Sequence, residues 1–361
     1  MTQRAPAEVG QRLEEVDTPA LILDLDAFER NQKTLFDLVR DRVRVRPHAK
    51  THKCPDVARR QIALGAVGMC CQKVSEAEAM VEGGVADVLV SNEIVGASKL
   101  ERLAALSRRA RIGVCVDNAQ NIAALRGDLD VYIEIDVGMR RCGVPPGEPA
   151  VALAKEIGKR RNLRFAGLQA YHGRAQHIRS MEERHAVIEK AAQHVFHTKR
   201  LLKEAGIECP IVTGAGSGTF MLELESGGGD EIQPGSYAFM DVDYAKNEWA
   251  APLPRFEHAL FVLTTVMSRP SSAMAVVDAG LKASSVDSGM PSVWKATGFS
   301  YTRASDEHGW LEGKDVPALG EKLLLVPGHC DPTINLYDWY VCIRNGAVED
   351  LWPITARGAV T

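Results

Sequence analysis

The chain has 361 residues, 45% of them hydrophobic and 25% charged, with a formal net charge of −4. That length suits a large domain joined to a smaller one, and that balance is ordinary for a globular chain with a sizeable core. The charge offers no basis for binding nucleic acid or an anionic membrane, no apolar run reaches the ~18 residues that span a bilayer, and the first residues lack the apolar core of a signal peptide.

The eight cysteines include no Cys-x-x-Cys pair, which excludes a zinc ribbon or a thioredoxin motif. Cys70, Cys71, Cys115 and Cys342 lie inside apolar runs and are expected to be reduced, buried thiols of a cytoplasmic protein.

Residues 1–16 are polar and read as an arm packing on the later part of the chain. A short apolar strand is expected over 20–25. Asp26 is the predicted N-cap of the next helix, with Glu29 in the capping-box position and Phe28, Leu35, Leu38 and Val39 at helical spacing. Further apolar or alternating runs follow at 43–46, 68–73, 87–91, 112–116, 131–136, 165–171 and 210–213. Helical segments rich in Ala, Leu, Glu and Arg separate most of them, at 55–64, 76–82, 98–109, 119–125, 150–159 and 181–205. Counted with 20–25, these make eight strands alternating with helices. Parallel connections need crossovers, so the pattern predicts an α/β fold, a (β/α)8 TIM barrel over residues 1–250, with a doubly wound open sheet as its rival.

In such a barrel the catalytic groups gather where strands end. Those positions hold Lys50, Gln72, Asn92, Asp117, Asp136 with Arg140 and Arg141, Tyr171 with His172, and Thr213. The eighth run leads into Thr213-Gly214-Ala215-Gly216-Ser217-Gly218-Thr219, small residues whose exposed N–H groups and hydroxyls suit a phosphate. No Walker lysine accompanies it, so nucleoside triphosphate hydrolysis is not indicated.

Upstream, Arg46-Pro47-His48-Ala49-Lys50-Thr51-His52-Lys53 crowds two lysines, two histidines and an arginine together without a carboxylate. It is either a solvated basic loop or a site for an anion. Neighbouring positive charge would lower the pKa of Lys50 or Lys53, and a neutral amine there could form a Schiff base.

Pro252 and Pro254 mark a linker. Beyond it, 251–361 reads as a mostly antiparallel β domain with strands at 260–267, 274–278, 322–326, 339–344 and 348–354, and with Asn345-Gly346 as a hairpin turn. Within it, Pro327-Gly328-His329-Cys330-Asp331 places His329 and Asp331 on one side if extended, where an imidazole and a carboxylate can hold a divalent cation.

Taken together, Arg46-Pro47-His48-Ala49-Lys50, Cys70-Cys71-Gln72-Lys73-Val74-Ser75-Glu76, Leu168-Gln169-Ala170-Tyr171-His172-Gly173, Gly235-Ser236-Tyr237-Ala238-Phe239-Met240-Asp241 and Asp306-Glu307-His308-Gly309 resemble the D-threonine aldolase, D-3-hydroxyaspartate aldolase and D-serine dehydratase group of pyridoxal-phosphate enzymes. The resemblance runs over nearly the whole chain and implies the alanine-racemase-like barrel, fold type III, with the β domain carrying a metal site. It implies Lys50 as the Schiff-base lysine, with Gln72, Arg141, Tyr171 and Thr213 around the cofactor. Gly216, Ser217, Gly218, Thr219, Ser236 and Tyr237 would be at the phosphate. It further implies His329 and Asp331 as ligands of Mn²⁺, with Mg²⁺, Co²⁺ or Zn²⁺ as alternatives, and His177 and Asp306 as catalytic groups. The activity so implied is retro-aldol cleavage of a 3-hydroxy-D-amino acid by a homodimer. The alternative is dehydration of D-3-hydroxyaspartate or D-serine. Asp331, where the dehydratase pattern has cysteine, favours the aldolase.

Overall fold

The computed structural model describes residues 4–249 and 255–361. The expected boundary at 250/251, with Pro252 and Pro254, lies outside the described residues. The first strand, β1 (Ala20–Asp24), is apolar on both faces, with Ala20, Leu21, Ile22 and Leu23 all fully buried. Such a strand needs cover on both sides, and either sheet of this protein offers it. The helix Leu25–Val39 follows directly. Its cap is Asp24, whose carboxylate accepts from the Ala27 N–H at 3.0 Å, and not the expected Asp26. Asp26 and Glu29 instead lie on the helix surface and pair with Arg344.

Eight parallel strands follow: β2 (Arg44–Val45), β3 (Met69–Cys71), β4 (Asp87–Glu93), β5 (Arg111–Val116), β6 (Leu129–Glu134), β7 (Leu163–Ala170), β8 (Ile211–Gly214) and β9 (Glu231–Ile232). They run β2-β9-β8-β7-β6-β5-β4-β3, with helices between most of them. The edges meet where the Cys70 N–H donates to the Pro47 carbonyl at 2.8 Å, beside a parallel bridge between His48 and Cys70. The fold class is therefore the expected barrel, but its strand count is made up differently. The 20–25 strand is not a member, and β9, only two residues long, supplies the eighth. The glycine-rich loop consequently follows the seventh barrel strand.

The second sheet comprises β1 with β10 (Leu260–Ser271), β11 (Met274–Val277), β12 (Ser292–Val293), β13 (Phe299–Ala304), β14 (Gly309–Gly313), β15 (Lys322–Val326), β16 (Trp339–Arg344) and β17 (Ala347–Pro353). Here β1 pairs antiparallel with β10 and parallel with β16, so an N-terminal strand sits in the middle of a C-terminal sheet. Asn345 and Gly346 both have positive φ, as the tight β16–β17 turn requires. Residues ahead of β1 run along β17: Leu13 donates to the Gly346 carbonyl and Val348 to that of Gln11. Among the described residues no helix is long and apolar enough to cross a membrane.

Candidate active site

Taken alone, the stretch 46–53 is unrelieved positive charge; in the fold, carboxylates from distant parts of the chain take most of it up. Arg46 is buried, with Nε donating to Glu231 at 2.8 Å and Nη1 to Asp87 at 2.6 Å. Burial opposes its charge, but the two acids outweigh that and hold the guanidinium ionised. Lys53 lies 2.9 Å from Glu76, with both side chains almost out of solvent. His48 and His52 are pushed down to about 3, chiefly by burial, and are neutral imidazoles. His48 accepts the Lys50 N–H at 3.3 Å and so starts the short helix Ala49–His52.

That leaves Lys50 as the amine that faces the cavity. Its Nζ pairs with the carboxylate of Asp331, which reaches across from the β domain. The expectation that neighbouring cations lower its pKa is overturned. Burial does act in that direction, but Asp331 outweighs it and holds the ammonium above the ordinary lysine range. Asp331 is correspondingly held well below the usual carboxylate range, Lys50 and His329 overcoming the cost of its burial.

The cavity, about 270 Å³, brings together Lys50, Gln72, Arg141, Tyr171 and His177 of the expected residues. The Arg141 guanidinium lies over the Tyr171 ring, 5.7 Å from its centre. His177 Nδ1 is 2.5 Å from Asp243 Oδ2, while Arg179 holds the other oxygen of that carboxylate. Lining residues absent from the sequence expectations include His48, Ser91, Gln169 and Gln233. The two glutamines hydrogen-bond each other at 2.9 Å. Gln169 stands two residues before Tyr171 and so points to the same side of its strand, a signal that was available.

The metal-candidate segment is not extended. Cys330–Ile334 is a short helix with His329 at its N-cap. His329 Nδ1 lies 2.8 Å from Asp287 Oδ2, which fixes the tautomer and leaves Nε2 free to ligate. Asp287 is 42 residues away and carries no sequence signal of its own. Asp331 faces the same imidazole closely enough, together with Asp287, to raise its pKa against the effect of burial.

The glycine-rich loop and the 235–237 segment meet where the Ser217 hydroxyl accepts the Tyr237 N–H at 2.9 Å. This leaves the Ser217 proton available to an anion. Gly235 fits only without a side chain, since a Cβ would come 2.2 Å from Thr51 Oγ1, beside Lys50. Ser236 donates to Asp331 at 3.4 Å. Neither Ser217 nor Ser236 lines the cavity itself, and three further expected hydroxyls are engaged elsewhere. Thr213 is fully buried and donates to Glu231 at 3.0 Å. Thr219 is fully buried and donates to Glu223 at 2.7 Å. The Tyr237 hydroxyl turns into the core, donating to Gln32 at 2.5 Å. Asp306 is exposed in the turn between β13 and β14, outside the cavity lining.

This donor set fits pyridoxal phosphate. An amine, an arginine over a tyrosine and three side-chain amides line one cavity. It also fits a hard divalent cation at His329 and Asp331, with positions left over for water or substrate.

The alanine racemase N-terminal domain family matches residues 23–243, and the putative serine dehydratase domain family matches residues 259–343. A D-threonine aldolase of Arthrobacter sp is 48% identical over 98% of this chain and 96% of its own. A 3-hydroxy-D-aspartate aldolase of Paracoccus denitrificans is 47% identical over 98% of this chain and 95% of its own. The crystal structure of a D-threonine aldolase from Filomicrobium marinum superposes with a TM-score of 0.97 at 53% identity, covering 99% of this chain and 100% of that one. With barrel and β domain both matched, the chain belongs to the alanine-racemase-fold family that includes the D-threonine and 3-hydroxy-D-aspartate aldolases.

Proposed function

We propose that this protein cleaves 3-hydroxy-D-amino acids of the D-threonine, D-3-hydroxyaspartate or D-phenylserine type, reversibly, to glycine and an aldehyde. The observation that carries this reading is the meeting of Lys50 with Asp331. The barrel's amine and the β domain's acid converge on one point, so a substrate whose amino group took the place of the Lys50 amine would present its side chain to His329 and Asp331.

Lys50, Gln72, Arg141 and Tyr171 would hold the pyridoxal ring, and Gly216, Ser217, Gly218 and Ser236 its phosphate. When bound, the cofactor supplies the electron sink for carbon–carbon cleavage. A divalent cation at His329 and Asp331 would supply Lewis acidity toward the substrate hydroxyl. Mn²⁺ is the proposed ion, because a carboxylate and an imidazole suit it and no thiolate competes in the pair. His177 is the proposed proton acceptor for that hydroxyl. Asp243, itself held by Arg179, keeps its Nδ1 occupied and directs Nε2 to the substrate. The unpaired state of all eight cysteines supports a reducing compartment such as the cytoplasm. A homodimer is the proposed assembly, to be checked by light scattering.

The test is a product assay on D-threonine and D-3-hydroxyaspartate with pyridoxal phosphate and Mn²⁺. Glycine and an aldehyde are the expected products. Ammonia and an oxo acid without glycine would replace the aldolase reading with a dehydratase one.

A further inference from the structure

Behind Arg141 lies a group of acids that the proposed reaction does not use. Glu93 ends β4, Glu134 ends β6, and Cys142 follows β6; one donor atom from each lies within 4.8 Å of the others. Asp117, just after β5, faces the same group and holds the Gly143 N–H at 3.3 Å. Glu134 is buried, and one oxygen of Glu93 is buried without a hydrogen-bond partner. Among the described residues the cation that pairs with Glu134 is Arg141, 3.8 Å from its Oε1, too far for a hydrogen bond.

The charge balance at this spot is unfavourable unless a proton is present. Three carboxyl groups face one half-exposed guanidinium, and the buried one, Glu134, has Glu93 close beside it, which disfavours its ionisation. The thiols nearby offer no relief. Cys142 is pushed up to about 11 by burial and Glu93, and Cys115 is raised by burial and Glu134. Glu134 itself is pushed up to about 8 by burial and by Glu93, with Arg141 acting in the opposite direction. Arg141 meanwhile extends over Tyr171 into the cavity wall.

We propose that Glu134 is a positioning residue for Arg141. By keeping its own proton it leaves the guanidinium unpaired and turned toward the cavity, available to an anionic group bound there. By losing that proton it draws Arg141 back into an ion pair. This rests on the reading that the cavity binds pyridoxal phosphate and an amino-acid substrate.

The two glutamates should then respond oppositely to isosteric substitution. Glu134→Gln cannot ionise, so Arg141 stays free at every pH. Glu93→Gln removes the like charge that adds to burial in holding Glu134 protonated, so Glu134 ionises at lower pH than in wild type and captures Arg141. The experiment is titration of the metal-free protein with pyridoxal phosphate, followed by absorbance, from about pH 6.5 to about pH 9.5. Relative to wild type, Glu134→Gln should bind equally at the acid end and about fivefold more tightly at the alkaline end. Glu93→Gln should be about fivefold weaker already at neutral pH. Each variant decides the matter if the other fails to fold. Identical pH curves in all three proteins, or a pH-independent loss in both variants, would overturn the inference while leaving the aldolase reading intact. A protein that takes up no cofactor at any pH would overturn both.

Discussion

Asp243 Oδ2 sits 2.5 Å from Nδ1 of His177, so only the far nitrogen of that ring is open to the cavity. Asp243→Asn would present an amide in place of the carboxylate and release the ring from its fixed tautomer. We expect kcat to fall about 10²-fold with KM little changed, the size of a lost acid–base contribution. Steady-state kinetics on D-threonine check this. An unchanged kcat would remove His177 from the mechanism.

The two lysines of the basic stretch have different surroundings and should behave differently. Borohydride reduction of the protein with its cofactor should fix the label on Lys50, read by peptide mass spectrometry, and Lys50→Ala should lose the imine absorbance. Lys53→Met should keep the label but lose stability. It strands Glu76 in the interior, a change that costs about 3 kcal/mol when a buried pair loses one member. A label on Lys53 would reverse the assignment.

Asp331→Cys changes a hard donor to a soft one at the proposed ion site. The ratio of Mn²⁺ to Zn²⁺ affinity, measured by competition with a chelating dye, should fall by about tenfold or more. Chelation of the wild-type protein should stop turnover while the cofactor absorbance persists. An unaltered metal preference would mean that Asp331 serves Lys50 alone.

Glu223, which accepts the Thr219 hydroxyl behind the glycine-rich loop, is pushed up to about 7 by burial, although Thr219 and the Ala215 N–H pull it down. Its folded pKa therefore lies above the unfolded value. The unfolded chain binds fewer protons there, and stability declines as pH rises from about 4.5 toward 7 and stays reduced above it. Glu223→Gln keeps the acceptor for Thr219 without the charge. Its melting temperature should exceed wild type at pH 8, on the order of 2 kcal/mol in stability, and converge with wild type near pH 4.5. A variant less stable than wild type at pH 8 would refute this account.

The alternation of apolar runs with helical segments was enough to read the barrel, because each βα unit is set by local periodicity. What escaped was set by partners far along the chain. The apolar run of β1 satisfies either sheet, and only β10 and β16 decide which one takes it. Glu231–Ile232 is too short to show a period and opens with a glutamate whose purpose is Arg46, 185 positions away. Likewise the basic stretch could not reveal which amine would be left over, since Glu231, Asp87 and Glu76 reach it only through the closed ring. Lys50, Arg141 and Tyr171 stood out as strand-end residues, while His177 was expected only from the family resemblance. Asp243 and Asp287, which orient the two histidines, had no pattern to betray them.

Placing β1 between β10 and β16 has a bearing on biosynthesis. The ring is complete once β9 has left the ribosome, yet the greasy strand made before it must wait, prone to stick, for β10 on one edge and much longer for β16 on the other. Asp331 arrives in that same late portion. A product that stopped short of Asp331 would therefore carry Lys50 without its acid partner.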